Sequence, residues 1–264
     1  MSGFMRQRVI TAVVALILFI PIVILGGTIF DIMAVLLGLV GLSEIFIMRK
    51  KIIVSLEAAL GALALLAIMV PDSWLPAGVN RLYFFYLFIM ILLVNMVFSR
   101  NKINFDDVGV TVLAAAYIGT GFHYFIAARQ TGLTMLLYIL FVIWATDIGA
   151  YQIGRKLGKH KLAPQISPNK TWEGSIGGSL CAVIIGGAFT YFVPELQIYT
   201  WPLMLLLTLL FSVVGQLGDL VESSYKRYYG VKDSGKILPG HGGILDRFDS
   251  LLFVLPILHL FTLI

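Results

Sequence analysis

SSYKRYYGVKDSGKILPGHGGILDRFD, residues 223–249, lies between apolar runs at 201–222 and 249–264. Five cations (Lys226, Arg227, Lys232, Lys236, Arg247) and three carboxylates (Asp233, Asp246, Asp249) fall within these 27 residues. The rest of the chain is oily. A loop that gathers both signs of charge between two apolar runs points to a charged substrate handled at a bilayer surface.

Composition sets the class. Of 264 residues, 59% are hydrophobic and 12% charged, and the mean hydropathy is +0.95. A soluble domain carries about 25% charged residues, so this chain lacks the polar residues to dress a wet surface. Lipid accepts such a chain, because helices satisfy their own backbone groups there. Nine apolar runs approach the ~20 residues a helix needs to cross a hydrocarbon core. They lie near 9–27, 30–48, 52–70, 82–99, 108–128, 133–154, 174–193, 201–222 and 249–264, the last one short. The first follows Arg6 and Arg8 like a signal peptide, but its apolar stretch is too long and no small-residue cleavage site follows. It reads as a retained span. The expectation is an all-α polytopic membrane protein of about nine transmembrane helices. Residues 1–130 would anchor and pack, with dimerisation a further role. Residues 131–264 would form the catalytic region, with loops at 155–173 and 223–249. The single cysteine, Cys181, excludes an intramolecular disulfide and reads as a packing residue in a small-residue run.

Lysine and arginine placement orients the chain. With the N-terminus inside, all of the 19 cations except Arg81 and Arg129 fall on the cytoplasmic side. That asymmetry predicts an N-in, C-out protein of the cytoplasmic membrane. It also explains the basic charge balance without a nucleic-acid partner. Two cytoplasmic loops are too polar to be plain connectors: Arg155–Glu173 and Ser223–Asp249. Topology accounts for their lysines. It does not account for the acids beside them.

Asp147 lies near the end of the sixth run; Asp219 and Glu222 lie near the end of the eighth. A carboxylate within a span is costly and faces a polar cavity or a partner. Gln216, Asp219, Ser223 and Lys226 are spaced to share a helix face, as are Asp147, Tyr151 and Arg155. Isolated ion pairs, such as Asp219 with Lys226, are the plainer reading, but two turns is a long reach. A shared polar cavity open to the cytoplasm is expected instead. Asp246 and Asp249 open the ninth run, where aspartates also serve as caps, yet a cap needs only one. Glycines in Pro239-Gly240-His241-Gly242-Gly243 permit close backbone approach to a ligand. Asp219, Asp246 and Asp249 together would suit Mg²⁺, which takes oxygen ligands and shares its shell with water and phosphates. Zinc is not expected, since there is no cysteine pair and the four histidines lack ligand spacing. Of these, His241 sits among the loop glycines as a phosphate contact. Gly230–Ile237 nearly spells a P-loop, but Ile237 stands where Ser or Thr is needed and no strand precedes it.

The 223–249 segment resembles the signature of the phosphatidate cytidylyltransferase family, the CDP-diacylglycerol synthases. The matching residues are Ser223, Lys226-Arg227, Lys232-Asp233, Pro239, His241-Gly242-Gly243, Asp246-Arg247 and Asp249. Tyr225 departs mildly from an aliphatic or Phe position. Upstream, Asp147, Gly149-Ala150-Tyr151, Gly154-Arg155, Ser167-Pro168, Lys170-Thr171 and Glu173-Gly174 are also similar to the family. The likeness covers roughly the C-terminal half.

The resemblance implies that CTP and phosphatidate give CDP-diacylglycerol and pyrophosphate in phospholipid biosynthesis, with Mg²⁺ as cofactor. A second metal or a monovalent cation stays open, and a homodimer is part of the same expectation. The phosphatidate phosphate is already an ionised nucleophile, so the protein's work is positioning and charge neutralisation. On that basis Asp219, Asp246 and Asp249 are the candidate metal ligands and, with Lys226, the candidate catalytic residues. Asp147, Lys170, Arg227, Lys232 and Arg247 are candidates for substrate binding, with Ser167, Ser223, His241, Gly242 and Gly243 as further contacts. A CTP-dependent transferase for another lipid or a polyprenol would use the same loop. A transporter is more remote, because its acids would sit at mid-bilayer, often within inverted repeats. A scaffold would have no need of acids paired with lysines.

Overall fold

The computed structural model describes residues 3–76, 78–100 and 102–264, the side chains of residues 3–6 and 8 excepted. Arg6 and Arg8, counted above among the inside cations, therefore lie outside the described side chains. Among the described residues the chain forms nine α-helices: α1 (Gly3–Leu25), α2 (Gly27–Met48), α3 (Leu56–Met69), α4 (Arg81–Phe98), α5 (Phe105–Thr131), α6 (Leu133–Leu157), α7 (Trp172–Phe192), α8 (Trp201–Tyr228) and α9 (Leu245–Leu260). A two-stranded antiparallel hairpin, β1 (Lys161–Ala163) and β2 (Ser167–Thr171), interrupts the 155–173 loop. The chain is thus predominantly helical, as its apolar runs require.

Each apolar run became a helix, but not each is long enough to span. Six are: α2, α4, α5, α6, α7 and α8. The described apolar part of α1, Val9–Leu25, and all of α3 are shorter. α3 is 14 residues, or roughly 21 Å at 1.5 Å per residue, against the ~30 Å of hydrocarbon. Its limits are chemical. The Ser55 hydroxyl accepts from Ala58 N at its start, and Pro71 follows its C-cap Val70, biasing that residue away from helix. α9 has 16 residues. Among the described residues, six of the nine helices thus meet the length and apolarity a span needs. Elsewhere helices run past the apolar stretch: α8 continues to Tyr228 and carries Ser223, Lys226 and Arg227 as helical residues. At the α1–α2 junction Gly26 and Gly27 have φ of 65° and 59°, a backbone state that breaks the helix and suits a residue without Cβ.

The chain divides into two compact units. The first comprises residues 1–127 and 233–247, the second residues 128–232 and 248–264. The 233–247 stretch, expected with the C-terminal region, is thus grouped with the N-terminal helices.

In the first unit, Phe30, Leu65, Met69, Ile118, Phe122 and Phe125 are fully buried. The Phe30 and Phe125 ring centroids lie 4.9 Å apart. One end of this unit holds an ionic network. Arg49 pairs with Asp107 at 2.6 Å and with Glu57 at 3.4 Å, Lys51 pairs with Asp107 at 2.8 Å, and the Thr111 hydroxyl donates to Glu57 at 2.9 Å. Two cations offset two carboxylates, which is what makes their burial tolerable.

In the second unit α7 packs between α6 and α8. Small residues let the backbones close in. A Cβ built on Gly174 would lie 2.7 Å from Ala150 O, and one on Gly149 would meet Cys181 Sγ at 2.8 Å. α8 meets α9 in the same way: a Cβ on Gly218 would lie 2.7 Å from Asp249 O. Buried hydroxyls cross these interfaces. Tyr138 and Thr208 oxygens lie 2.7 Å apart, and Thr146 and Ser212 oxygens 2.8 Å apart.

Candidate functional site

The second unit holds a cavity of about 540 Å³, within the ~300–1,000 Å³ usual for small-molecule sites. Four elements line it. α6 contributes Asp147, Tyr151 and Arg155, the stripe that repeats every fourth residue. The hairpin contributes Lys161, Asn169 and Lys170, and α7 adds Ser175. α8 contributes Gln216 and Asp219. The α6 stripe and the first half of the α8 stripe, Gln216 and Asp219, therefore face one opening, while Ser223 and Lys226 do not line it; the opening carries both signs of charge.

Local chemistry builds each wall. Thr171 ends β2 and caps α7: its hydroxyl accepts from Gly174 N at 3.1 Å. Glu173, in the first turn of α7, accepts from the main-chain N–H groups of Lys159 and His160 at 3.1 and 3.2 Å. It also pairs with His160 Nδ1 at 2.6 Å. These contacts pin the hairpin to the helix and set Lys170 over the cavity. Lys170 Nζ lies 2.5 Å from Asp219 Oδ2, and both side chains are about 30% exposed. Ser223 Oγ donates to Asp219 Oδ1 at 3.4 Å. Below Asp219, Gln216 donates to Ser179 Oγ at 2.9 Å, extending the buried hydroxyl line to the cavity floor.

Asp219 has a carboxylate neighbour. Asp249 feels the charges of Asp219 and Asp147 and, with opposite sign, of Lys226. The close α8–α9 approach at Gly218 sets this juxtaposition. One turn beyond Asp219, Glu222 is 1% exposed and takes a 2.7 Å hydrogen bond from Lys226. The plain sequence pairing of Asp219 with Lys226 is not the one formed: Lys170 holds Asp219, and Glu222 holds Lys226. Arg227 donates to the main-chain carbonyls of Ile166 at 3.3 Å and Val231 at 3.1 Å, tying the hairpin turn to the end of α8. Ser167 opens β2 and is half-buried; Lys232 is exposed just past α8.

The remaining expected residues belong to the first unit. Asp246 Oδ2 accepts from Ser234 N at 2.8 Å, Ser234 Oγ at 2.9 Å and Gly243 N at 2.7 Å. Leu238 N donates to Gly242 O and His241 N to Leu238 O, closing a tight turn. Gly242 has φ +85°, and a Cβ there would strike the Asp246 carboxylate. His241 Nδ1 is buried without a hydrogen-bond partner, and Arg247 is exposed. Asp246 is therefore the organiser of the glycine turn. Among the described residues no three or more His, Cys, Asp or Glu side chains form a group able to hold a metal.

A divalent ion fits part of this chemistry. Asp219 and Asp249 both offer hard oxygens, and the charge of Asp219 is felt at Asp249; a cation would offset that repulsion. Lys170 and Lys226 supply part of that charge. Two carboxylates leave the rest of a Mg²⁺ shell to water and phosphate oxygens, which is the usual balance for that ion.

Sequence reading missed several contributors. Glu222 was noticed as an acid but given no role; its i, i+4 spacing to Lys226 was the available signal. Ser234 gave no local signal; Glu44 stood out as an acid in an apolar run, hinting at a role beyond anchoring, but its partner lies 190 residues away. Asn169 and Ser175 are ordinary polar residues, made notable only by the cavity they line.

The cytidylyltransferase family matches residues 6–264. A phosphatidate cytidylyltransferase of Staphylococcus haemolyticus is 48% identical over 260 residues, covering 97% of this chain and 98% of the relative. The proteins of that name from Staphylococcus epidermidis and Staphylococcus aureus are 46% identical over 257 residues, covering 97% of this chain and 98% of each relative.

Proposed function

This chain belongs to the cytidylyltransferase family, and we propose that the cavity of its second unit is where the family's reaction takes place. The reaction transfers the cytidylyl group of CTP to phosphatidate, giving CDP-diacylglycerol and pyrophosphate. An oxygen of the lipid phosphate forms a bond to the α-phosphorus of CTP. The bond from that phosphorus to the β-phosphate bridging oxygen breaks, and pyrophosphate carries the electrons away. No proton need be removed from the nucleophile, so the protein must bring anions together and hold them in line.

The observation that carries the reading is the Lys170–Asp219 contact at 2.5 Å in a cavity also lined by Arg155 and Lys161. Cations on a hairpin and a helix end suit a triphosphate as charge-assisted donors. Asp219 and Asp249 would hold Mg²⁺, which when bound neutralises phosphate charge and stabilises the leaving group. Lys170, on the hairpin against Asp219, would hold a phosphate oxygen. Lys226, fixed by Glu222, keeps a positive charge near Asp249. Asp246 serves the reaction by shaping the turn that bears His241, Gly242 and Gly243. Tyr151 and Asn169, which line the same cavity, would contact the nucleoside portion.

The remaining expectations belong to the same reading. The cavity opens to the cytoplasm, because CTP is soluble and the acyl chains are not. The N-terminus is inside, in the cytoplasmic membrane, and the spanning set includes α1, α3 and α9 beside the six long helices. Two copies associate, which light scattering of the detergent-purified protein tests directly. For the reaction itself, purified protein is incubated with labelled CTP, Mg²⁺ and a panel of lipid phosphates. Label entering lipid with phosphatidate supports the reading. Label entering only with a polyprenyl phosphate would replace it with the alternative transferase.

A further inference from the structure

Glu44, about one turn before the end of the apolar α2, is 2% exposed, and nothing in the reaction above uses it. A carboxylate buried to that degree costs several kcal/mol unless its oxygens are satisfied. Its oxygens are satisfied by one remote segment. Oε1 accepts from Ile244 N at 2.7 Å; Oε2 accepts from Leu245 N at 2.9 Å and lies 3.0 Å from Ser234 Oγ. The first two are backbone donors where α9 begins, groups that no helix can satisfy internally. Ser234 Oγ is also 2.9 Å from Asp246 Oδ2. A hydroxyl has one proton, so Ser234 can donate to Glu44 or to Asp246 but not to both at once. Gly243 and Gly235 complete the fit: a Cβ on either would collide with the Glu44 carboxylate.

We infer that Glu44 is a positioning residue for cytidylyl transfer. Through Ser234 and the Ile244 and Leu245 N–H groups, it anchors the 233–247 segment and fixes where Asp246 and its glycine turn stand. This rests on the reading of that segment as part of the catalytic apparatus. Neutral caps would suffice to end a loop. Here one buried carboxylate holds two main-chain N–H groups and lies within hydrogen-bond reach of a hydroxyl, all on a segment about 190 to 200 residues away in sequence.

The test uses the full-length protein in nanodiscs, as wild type, Glu44→Gln, Ser234→Ala and the double variant. Hydrogen exchange is followed by mass spectrometry alongside kcat and KM for CTP. Gln presents an NH₂ where one acceptor oxygen stood. Exchange in peptides covering 233–247 should therefore quicken about tenfold or more while other peptides keep wild-type rates. kcat should fall about tenfold or more, with KM changed less than about threefold. Ser234→Ala keeps the two backbone bonds to Glu44 and should show the same pattern more weakly, and the double variant should fall short of the product of the singles. Wild-type protection of 233–247 in Glu44→Gln, or a loosened segment with full kcat, overturns the inference. If Glu44→Gln cannot be isolated folded, Ser234→Ala decides, and unchanged exchange and kcat there overturn it. An inactive wild type would sink the functional reading and not the anchor, which exchange reports independently.

Discussion

Lys170 reaches Asp219 from the hairpin, and one turn further along α8 Lys226 reaches Glu222. The two pairs differ in environment, and so should their loss. Lys170 and Asp219 are partly open to water, so their contact adds little to stability. Lys170→Ala should leave the melting temperature nearly unchanged and raise the KM for CTP by about tenfold, as expected on losing one charge-assisted contact. Glu222 and Lys226 are buried. Removing one partner of a buried pair costs roughly 3 kcal/mol. Glu222→Gln should therefore lower the melting temperature of the detergent-purified protein as well as its turnover; a variant as stable as wild type would show that Lys226 does not depend on Glu222. The acids themselves were legible in the sequence, because a carboxylate at the end of an apolar run asks for a reason. Their partners were not. Spacing suggested Asp219 with Lys226, while the hairpin that presents Lys170 left no trace in a loop of lysines, glycines and prolines.

The α8–α9 crossing is close at Gly218, which precedes Asp219 and meets the Asp249 main-chain oxygen. Gly218→Ala would set a methyl against the Asp249 carbonyl, a backbone atom that cannot swing aside. Activity should drop by at least about tenfold and stability should fall, as overpacking typically costs ~1–3 kcal/mol. Gly109→Ala on α5 is the matched control, since nothing lies within 4 Å of its added carbon. That variant should be active and about 0.5–1 kcal/mol more stable, the usual gain of Ala over Gly within a helix. Equal behaviour of the two variants in a thermal melt and a turnover assay would contradict the packing argument. The helices were readable from hydropathy because lipid demands apolar runs. Their ends were less readable. α8 keeps its hydrogen bonds past the last apolar residue, since α-helix geometry does not depend on hydropathy, whereas Ser55 and Pro71 cut α3 short inside an apolar run.

The chain divides into two compact units, and sequence order only partly reveals the grouping. The division near residue 127 has no mark in the acids: Glu44 and Asp107 lie within helices before it, Asp147 and Asp219 within helices after it. The grouping of 233–247 with the first unit depends on Glu44, which no local pattern could connect to it. Orientation is testable at this scale. Cys181 is the one native cysteine. In a Cys181→Ala background, a cysteine at Lys159 should react with a membrane-impermeant maleimide in inverted vesicles, and a cysteine at Ser73 should react only in intact cells. The reverse pattern would place the cavity on the wrong side for CTP.

The central claim is that this chain joins phosphatidate to the α-phosphorus of CTP with Asp219 at the site, and position-specific labelling tests it most directly. Purified wild type and Asp219→Asn are given phosphatidate, Mg²⁺ and CTP labelled at the α- or the γ-phosphate. With wild type the α-label should pass into lipid and the γ-label leave as pyrophosphate; with folded Asp219→Asn lipid labelling should fall by about 100-fold or more, the scale of losing a group that stabilises the transition state. γ-label in the lipid, or an Asp219→Asn protein that labels lipid at the wild-type rate, would contradict the account.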